Sequence, residues 1–130
     1  MKLAMCGYRC DLCKAFSGNV SQRDERGELS KMWKKYYDID SSAQDIHCDG
    51  CRCGAPGVRL DDGCPVRPCV LEKGLNHCGE CGEFPCAVFT RRKGHSPEDA
   101  KAALGDAFDM EEYETYLRAY DNKTRLEALR

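Results

Sequence analysis

Residues 48–86 read CDGCRCGAPGVRLDDGCPVRPCVLEKGLNHCGECGEFPC, and the rest of the chain is organised around this stretch. It carries Cys48, Cys51, Cys53, Cys64, Cys69, Cys78, Cys81 and Cys86 among glycines, prolines and acidic residues. Two C-x2-C knuckles, Cys48/Cys51 and Cys78/Cys81, anchor it, with the wider pair Cys64/Cys69 between them and Cys86 behind Phe84-Pro85. In such a knuckle both thiolates face one cation while the intervening amides turn toward sulfur, and Gly50 permits the tight turn. A third thiol group, Cys6, Cys10 and Cys13, stands near the N-terminus. If that segment is helical throughout, spacings of four and three put all three sulfurs on one face. Alternatively Gly7 turns the chain, so that Cys6 approaches from a loop while Cys10 and Cys13 occupy a short helix ended at Gly18.

Composition bounds the possibilities. With 130 residues, 42% apolar and 32% charged, the sequence fits one soluble domain: 1–46 with the N-terminal thiols and an amphipathic helix, 47–86 as the Cys-rich core, and 87–130 as C-terminal helices. No apolar run approaches the ~20 residues of a membrane span. Gly7, Arg9 and Asp11 interrupt any signal-peptide core, so the cytoplasm is the expected compartment. Eleven cysteines, an odd number, without an export signal argue for reduced thiols rather than disulfides. A formal net charge of -2 gives no broad attraction to nucleic acid or anionic lipid, and leaves room for an unidentified protein partner.

The flanks read as packing. Ser21 is placed as an N-cap, with Asp24 three residues on, for a helix running to about Tyr37; Leu29, Met32, Trp33 and Tyr36 form its apolar face. Lys31, Lys34 and Lys35 fall on its solvated face. Ser41 or Ser42 caps a short turn, Val58-Arg59-Leu60 is a candidate strand of a small β-ribbon, and Val70 to Gly74 is a single helical turn. Cys86 opens a helix toward Arg91-Arg92-Lys93, stopped at Gly94. Ser96, Pro97, Glu98 and Asp99 are a strong helix start. A last helix from Met110 aligns Tyr113, Tyr116, Leu117 and Tyr120, whose hydroxyls are expected to reach the surface, and a short tail helix holds Leu126 and Leu129. The fold class is therefore mainly α with an irregular, metal-clamped centre and at most a short β-ribbon.

Zinc takes four thiolate or imidazole ligands in a tetrahedron, so the thiols suffice for about two sites. The expected pairing joins Cys48 and Cys51 to Cys64 and Cys69, and Cys78, Cys81 and Cys86 to an N-terminal thiol. Cys53 is a bystander; His47 or His77 could replace a thiol, and His95 faces solvent. An iron–sulfur cluster in an electron-transfer or redox-sensing protein is the competing chemistry, since clusters use the same ligands. Dithiol catalysis would want one isolated pair on a βαβ scaffold, which is lacking. No catalytic Ser/His/Asp set or phosphate loop stands out, and a closed zinc lacks the open position that catalysis requires, so an enzyme is the minority reading. The C-x3-C-x2-C spacing at Cys6, Cys10 and Cys13 is shared with radical S-adenosylmethionine enzymes, whose large βα domain this chain is too short to form.

The blocks CGYRCDLCKAF (6–16), CDGCR (48–52), CPVRPC (64–69) and NHCGECGEFPC (76–86) together resemble the prokaryotic Cys-rich family known as domain of unknown function 3795, over about residues 4 to 93. Its members are often described as candidate zinc-binding proteins without an established activity. The resemblance implies metal ligation at Cys6, Cys10, Cys13, Cys48, Cys51, Cys64, Cys69, Cys78, Cys81 and Cys86, leaves Cys53 outside the pattern, and supplies no substrate.

Overall fold

Hydrophobic spacing without long strand signals dictates helices, and the computed structural model, which describes residues 1–130, is mainly helical. Backbone pairing is confined to two single bridges, Leu3 with Arg9 and Phe16 with Cys48. The β-ribbon at Val58 does not form. Asp49 takes both backbone groups of Val58, its N–H donating to the Val58 carbonyl at 2.7 Å and its carboxylate accepting from the Val58 N–H at 2.9 Å, so none is left for a partner strand.

Helix α1 spans Ser17–Gln22 and α2 Arg26–Tyr37. The chain thus starts a helix at the point where Gly18 was expected to end one. Ser21 does not cap α2: it lies inside α1, its hydroxyl donating to the Gly18 carbonyl at 3.1 Å. The break falls at residues 23–25, where Asp24 accepts from the Arg26 backbone at 3.1 Å and from its Nε at 2.9 Å. The apolar face of α2 is as the spacing requires, with Leu29, Met32, Trp33 and Tyr36 all buried. Lys31, Lys34 and Lys35 lie across from it, paired with Glu28, with Asp38 and Asp40, and with Glu112. Ser42 precedes a single 3-10 turn at Ala43–Asp45, its hydroxyl donating to the Asp45 carboxylate.

Helix α3, Val66–Glu72, starts a full turn before the expected Val70. Pro65 and Pro68 sit at its cap and in its first turn, where a missing N–H costs nothing, so the prolines begin the helix rather than block it. Helix α4, Ala87–Thr90, is one turn long. Helix α5, Pro97–Leu104, opens on the expected Ser96 cap, which forms a reciprocal capping box with Asp99. Helix α6, Met110–Glu112, continues through a π-helical turn at Tyr113–Leu117 and a 3-10 turn at Arg118–Tyr120. These register changes let Tyr113, Leu117, Ala119 and Tyr120 all face inward. Helix α7, Asn122–Ala128, buries Leu126 and leaves Leu129 exposed.

Two apolar clusters result. One joins α2 to α5, α6 and its extension through Leu29, Met32, Trp33, Tyr36, Ala100, Tyr113 and Leu117. The other is thiol-rich: Met5, Cys6, Val66, Val70, Cys78, Phe84, Phe89 and Leu126 fill it, with Cys10, Cys51, Cys64, Cys81 and Cys86 at its margin. Full burial of each large side chain contributes about 1.5–3 kcal/mol. No helix is long and apolar enough to cross a membrane.

Candidate metal centre

The N-terminal thiols sit on turns rather than on a helix. Gly7 adopts φ +93° and Gly50 φ +92°, a region open to glycine, and these turns reverse the chain beside Cys6 and within the Cys48/Cys51 knuckle. The Phe16–Cys48 bridge, with Ser17 N–H donating to the Cys48 carbonyl at 2.7 Å, brings the N-terminal motif against that knuckle. Burial, together with negative charge on Cys13, Cys51 or Cys48, pushes the Cys10 thiol up to about 12. Cys13 is raised by burial and also by charge on Cys48, against the pull of the Tyr120 hydroxyl and backbone amides. Cys10, Cys13, Cys48 and Cys51 therefore form one neighbourhood.

A second forms around the other knuckle. Cys69 from α3, Cys78 from a 3-10 turn at Cys78–Glu80, Cys81 at the end of that turn, and Cys86 from the cap of α4 line one small cavity with Val70, Phe84 and Phe89. Its volume of about 20 Å³ suits a single water-sized body. Burial first, then charge on Cys86, Cys69, Cys81 and Cys64, pushes Cys78 up to about 12. Cys81, more open, is lowered by the Glu83 amide and by Lys73, whose ammonium lies 3.3 Å from its sulfur and 2.7 Å from Glu83. Cys6 is raised by its deep burial and flanked by Cys64, Cys51 and Cys78, between the two groups.

Donors aim at several of these sulfurs. The Met5 N–H reaches Cys51 at 3.3 Å, Gly50 reaches Cys48 at 3.4 Å, and Phe89 reaches Cys86 at 3.5 Å. All eleven cysteines are free. As placed, no three His, Cys, Asp or Glu side chains converge closely enough to hold one ion. The donor set fits a thiophilic cation in chemistry and neighbourhood, and lacks coordination-distance closure.

This grouping differs from the expected pairing. Cys69 lies with the second knuckle, because α3 carries it over the α4 cap, and the first knuckle meets the N-terminal thiols instead. Cys53 stands apart, beside Gly57. His47 pairs with Asp49 at 3.1 Å, and His77 accepts from the Gly79 N–H at 3.0 Å. His95 is partly buried rather than solvent-facing, stacked on Tyr37 with its Nε2 3.2 Å from the Tyr36 carbonyl.

The sequence profile of the family described as "Protein of unknown function (DUF3795)" matches residues 2–91, the span that contains every cysteine. The chain belongs to this family. No curated protein and no solved structure matches it. The DUF3795 region thus covers both thiol neighbourhoods, while α5, α6 and α7 lie beyond it. The C-terminal segments nevertheless touch the thiol-bearing turns. Asn122, completely buried, accepts from the Gly94 N–H at 3.0 Å and donates to the Cys6 carbonyl at 2.9 Å and the Arg92 carbonyl at 3.0 Å. Sequence reasoning missed Asn122 and the inward turn of the Tyr120 hydroxyl. An Asn one residue into a helix start carries no mark of burial, and Tyr120 shares an apolar helical face with residues that only pack.

Proposed function

We propose that this protein is a small metal-binding module in which two zinc ions act as structural cross-links, one held by Cys69, Cys78, Cys81 and Cys86 and one by Cys10, Cys13, Cys48 and Cys51. The observation that supports this reading is that four cysteines, from three separate segments, line one small cavity. Thiols held in a reducing compartment at this spacing bind zinc in preference to oxidising one another. Bound zinc supplies cross-linking free energy on the order of 10 kcal/mol per site, replacing apolar core that the glycine-rich centre cannot provide. The ligands at each site are all protein groups, so the role is that of a scaffold presenting its surface to a protein partner, an interaction or regulatory module.

Treatment with a chelator and a reductant tests this. Loss of near-ultraviolet dichroism and of a cooperative thermal transition, restored by zinc, is expected. A demetallated protein that keeps both contradicts the reading. Cys78→Ser should lose one equivalent of zinc, whereas Cys53→Ser should keep two.

A further inference from the structure

The hydroxyl of Tyr120 is enclosed at the meeting of the two halves of the molecule. Tyr120 is 8% exposed, and the rings of Tyr8, Tyr37 and Trp33 surround it at centroid distances of 5.2, 6.2 and 6.4 Å. Its oxygen has two neighbours: Trp33 Nε1 at 3.2 Å and Cys13 Sγ at 3.0 Å. An indole N–H can only donate, so the Trp33 contact uses a lone pair of the tyrosine oxygen. The hydroxyl proton then has one acceptor within reach, the Cys13 sulfur. Were the thiol the donor instead, the buried hydroxyl proton would be left without a partner, at a cost comparable to a lost hydrogen bond.

We infer that Tyr120, a residue outside the family-matched region, is a positioning residue that directs its hydroxyl proton at Cys13 and fixes that sulfur as a ligand of the N-terminal thiol group, with Trp33 setting the direction of the proton. The inference rests on the metal-binding reading for what Cys13 ligates, and on the hydrogen-bond geometry alone for the link itself. A donor to a ligand atom holds its orientation and typically governs 10- to 100-fold in metal affinity. The C-terminal helices thereby report to, and stabilise, a centre encoded entirely in the first two thirds of the chain.

Two measurements on the full chain decide it. In a zinc competition titration, Tyr120→Phe should keep the stoichiometry of the unaltered protein while one of its sites weakens about 10- to 100-fold. Tyr113→Phe, whose hydroxyl donates to the His95 carbonyl instead, should leave both sites unchanged. Equal affinities in Tyr120→Phe and the unaltered protein overturn the inference. In the protein as purified, the unfolding equilibria of Cys13→Ala, Tyr120→Phe and the double variant should be non-additive by about 5-fold or more, as for residues in direct contact; additivity overturns the link. If the unaltered protein binds no zinc, the metal reading fails by itself and this second measurement alone decides the role of Tyr120.

Discussion

Replacing Asn122 with alanine should be among the most damaging single changes in this protein, although the residue lies far from every cysteine in sequence. Its amide ties α7 to two other segments: the Cys6 turn, and the stretch after α4 through the Arg92 carbonyl and the Gly94 N–H. The Arg92 carbonyl keeps a second partner, the Tyr8 hydroxyl at 2.7 Å, and so survives the change. The Gly94 N–H and the Cys6 carbonyl lose the Asn122 partner. Each buried group left unsatisfied costs roughly 1–3 kcal/mol, so the pair amounts to about 4 kcal/mol. Unfolding entropy near 2 cal/mol/K per residue converts this to a fall of about 15 °C in Tm for a chain of this length. Urea denaturation and a thermal scan at fixed zinc would measure it. Asn122→Asp should be no better at neutral pH, since a carboxylate would face two carbonyls, and should partly recover on acidification as the acid regains a donor. A loss below about 1 kcal/mol in Asn122→Ala would refute the reasoning, because it would mean that water or a rearranged backbone already serves those groups.

Other expectations concern the same junction and the centre. Gly94→Ala would drive its Cβ into the Tyr120 carbonyl oxygen, so backbone must move; a loss of about 3 kcal/mol is expected by chemical denaturation, and a neutral outcome would show that the contact yields. Asp99 is held below the usual carboxylate range first by Lys93, 2.8 Å away, and by its capping contacts with Ser96. Its folded value is depressed, so its contribution is complete above the unfolded value near ~4 and is lost as pH falls through the lower folded one. Asp99→Asn should therefore flatten the acid limb of the stability profile without steepening it near neutrality. Lys73→Met, which removes the ammonium beside Cys81, should weaken one zinc site about 3- to 10-fold in a competition titration, the half-exposed position reducing the effect; no change would show that Lys73 serves only Glu83.

Much of the helical frame was legible in the residues. Leu29, Met32, Trp33 and Tyr36 recur at helical spacing and are the buried face of α2, and Ser96-Pro97-Glu98-Asp99 caps α5. Helix starts were harder where side chains compete locally. Asp24 is spent on Arg26, and Ser21 on Gly18, so neither serves the cap that its spacing offered. The knuckle spacings are visible in the sequence, whereas which thiols lie together in the fold is not. Whether Cys69 faces the first or second knuckle depends on where α3 begins, and that is set by two prolines whose effect at a helix start is the reverse of their effect inside one. Tyr120 and Asn122 became visible only once α6 and α7 were folded back on the thiols, because long-range contacts of single polar atoms leave no periodic trace.

The central claim is that sulfurs distant in the chain share cations, and metal content tests it most directly. Protein purified without oxygen, analysed for metals and scanned from the ultraviolet to the visible, should carry about two zinc ions per chain and no visible absorption. A brown protein containing iron and labile sulfide would replace zinc with a cluster, and a colourless protein free of metal, with its thiols fully titratable or joined as disulfides, would contradict the account.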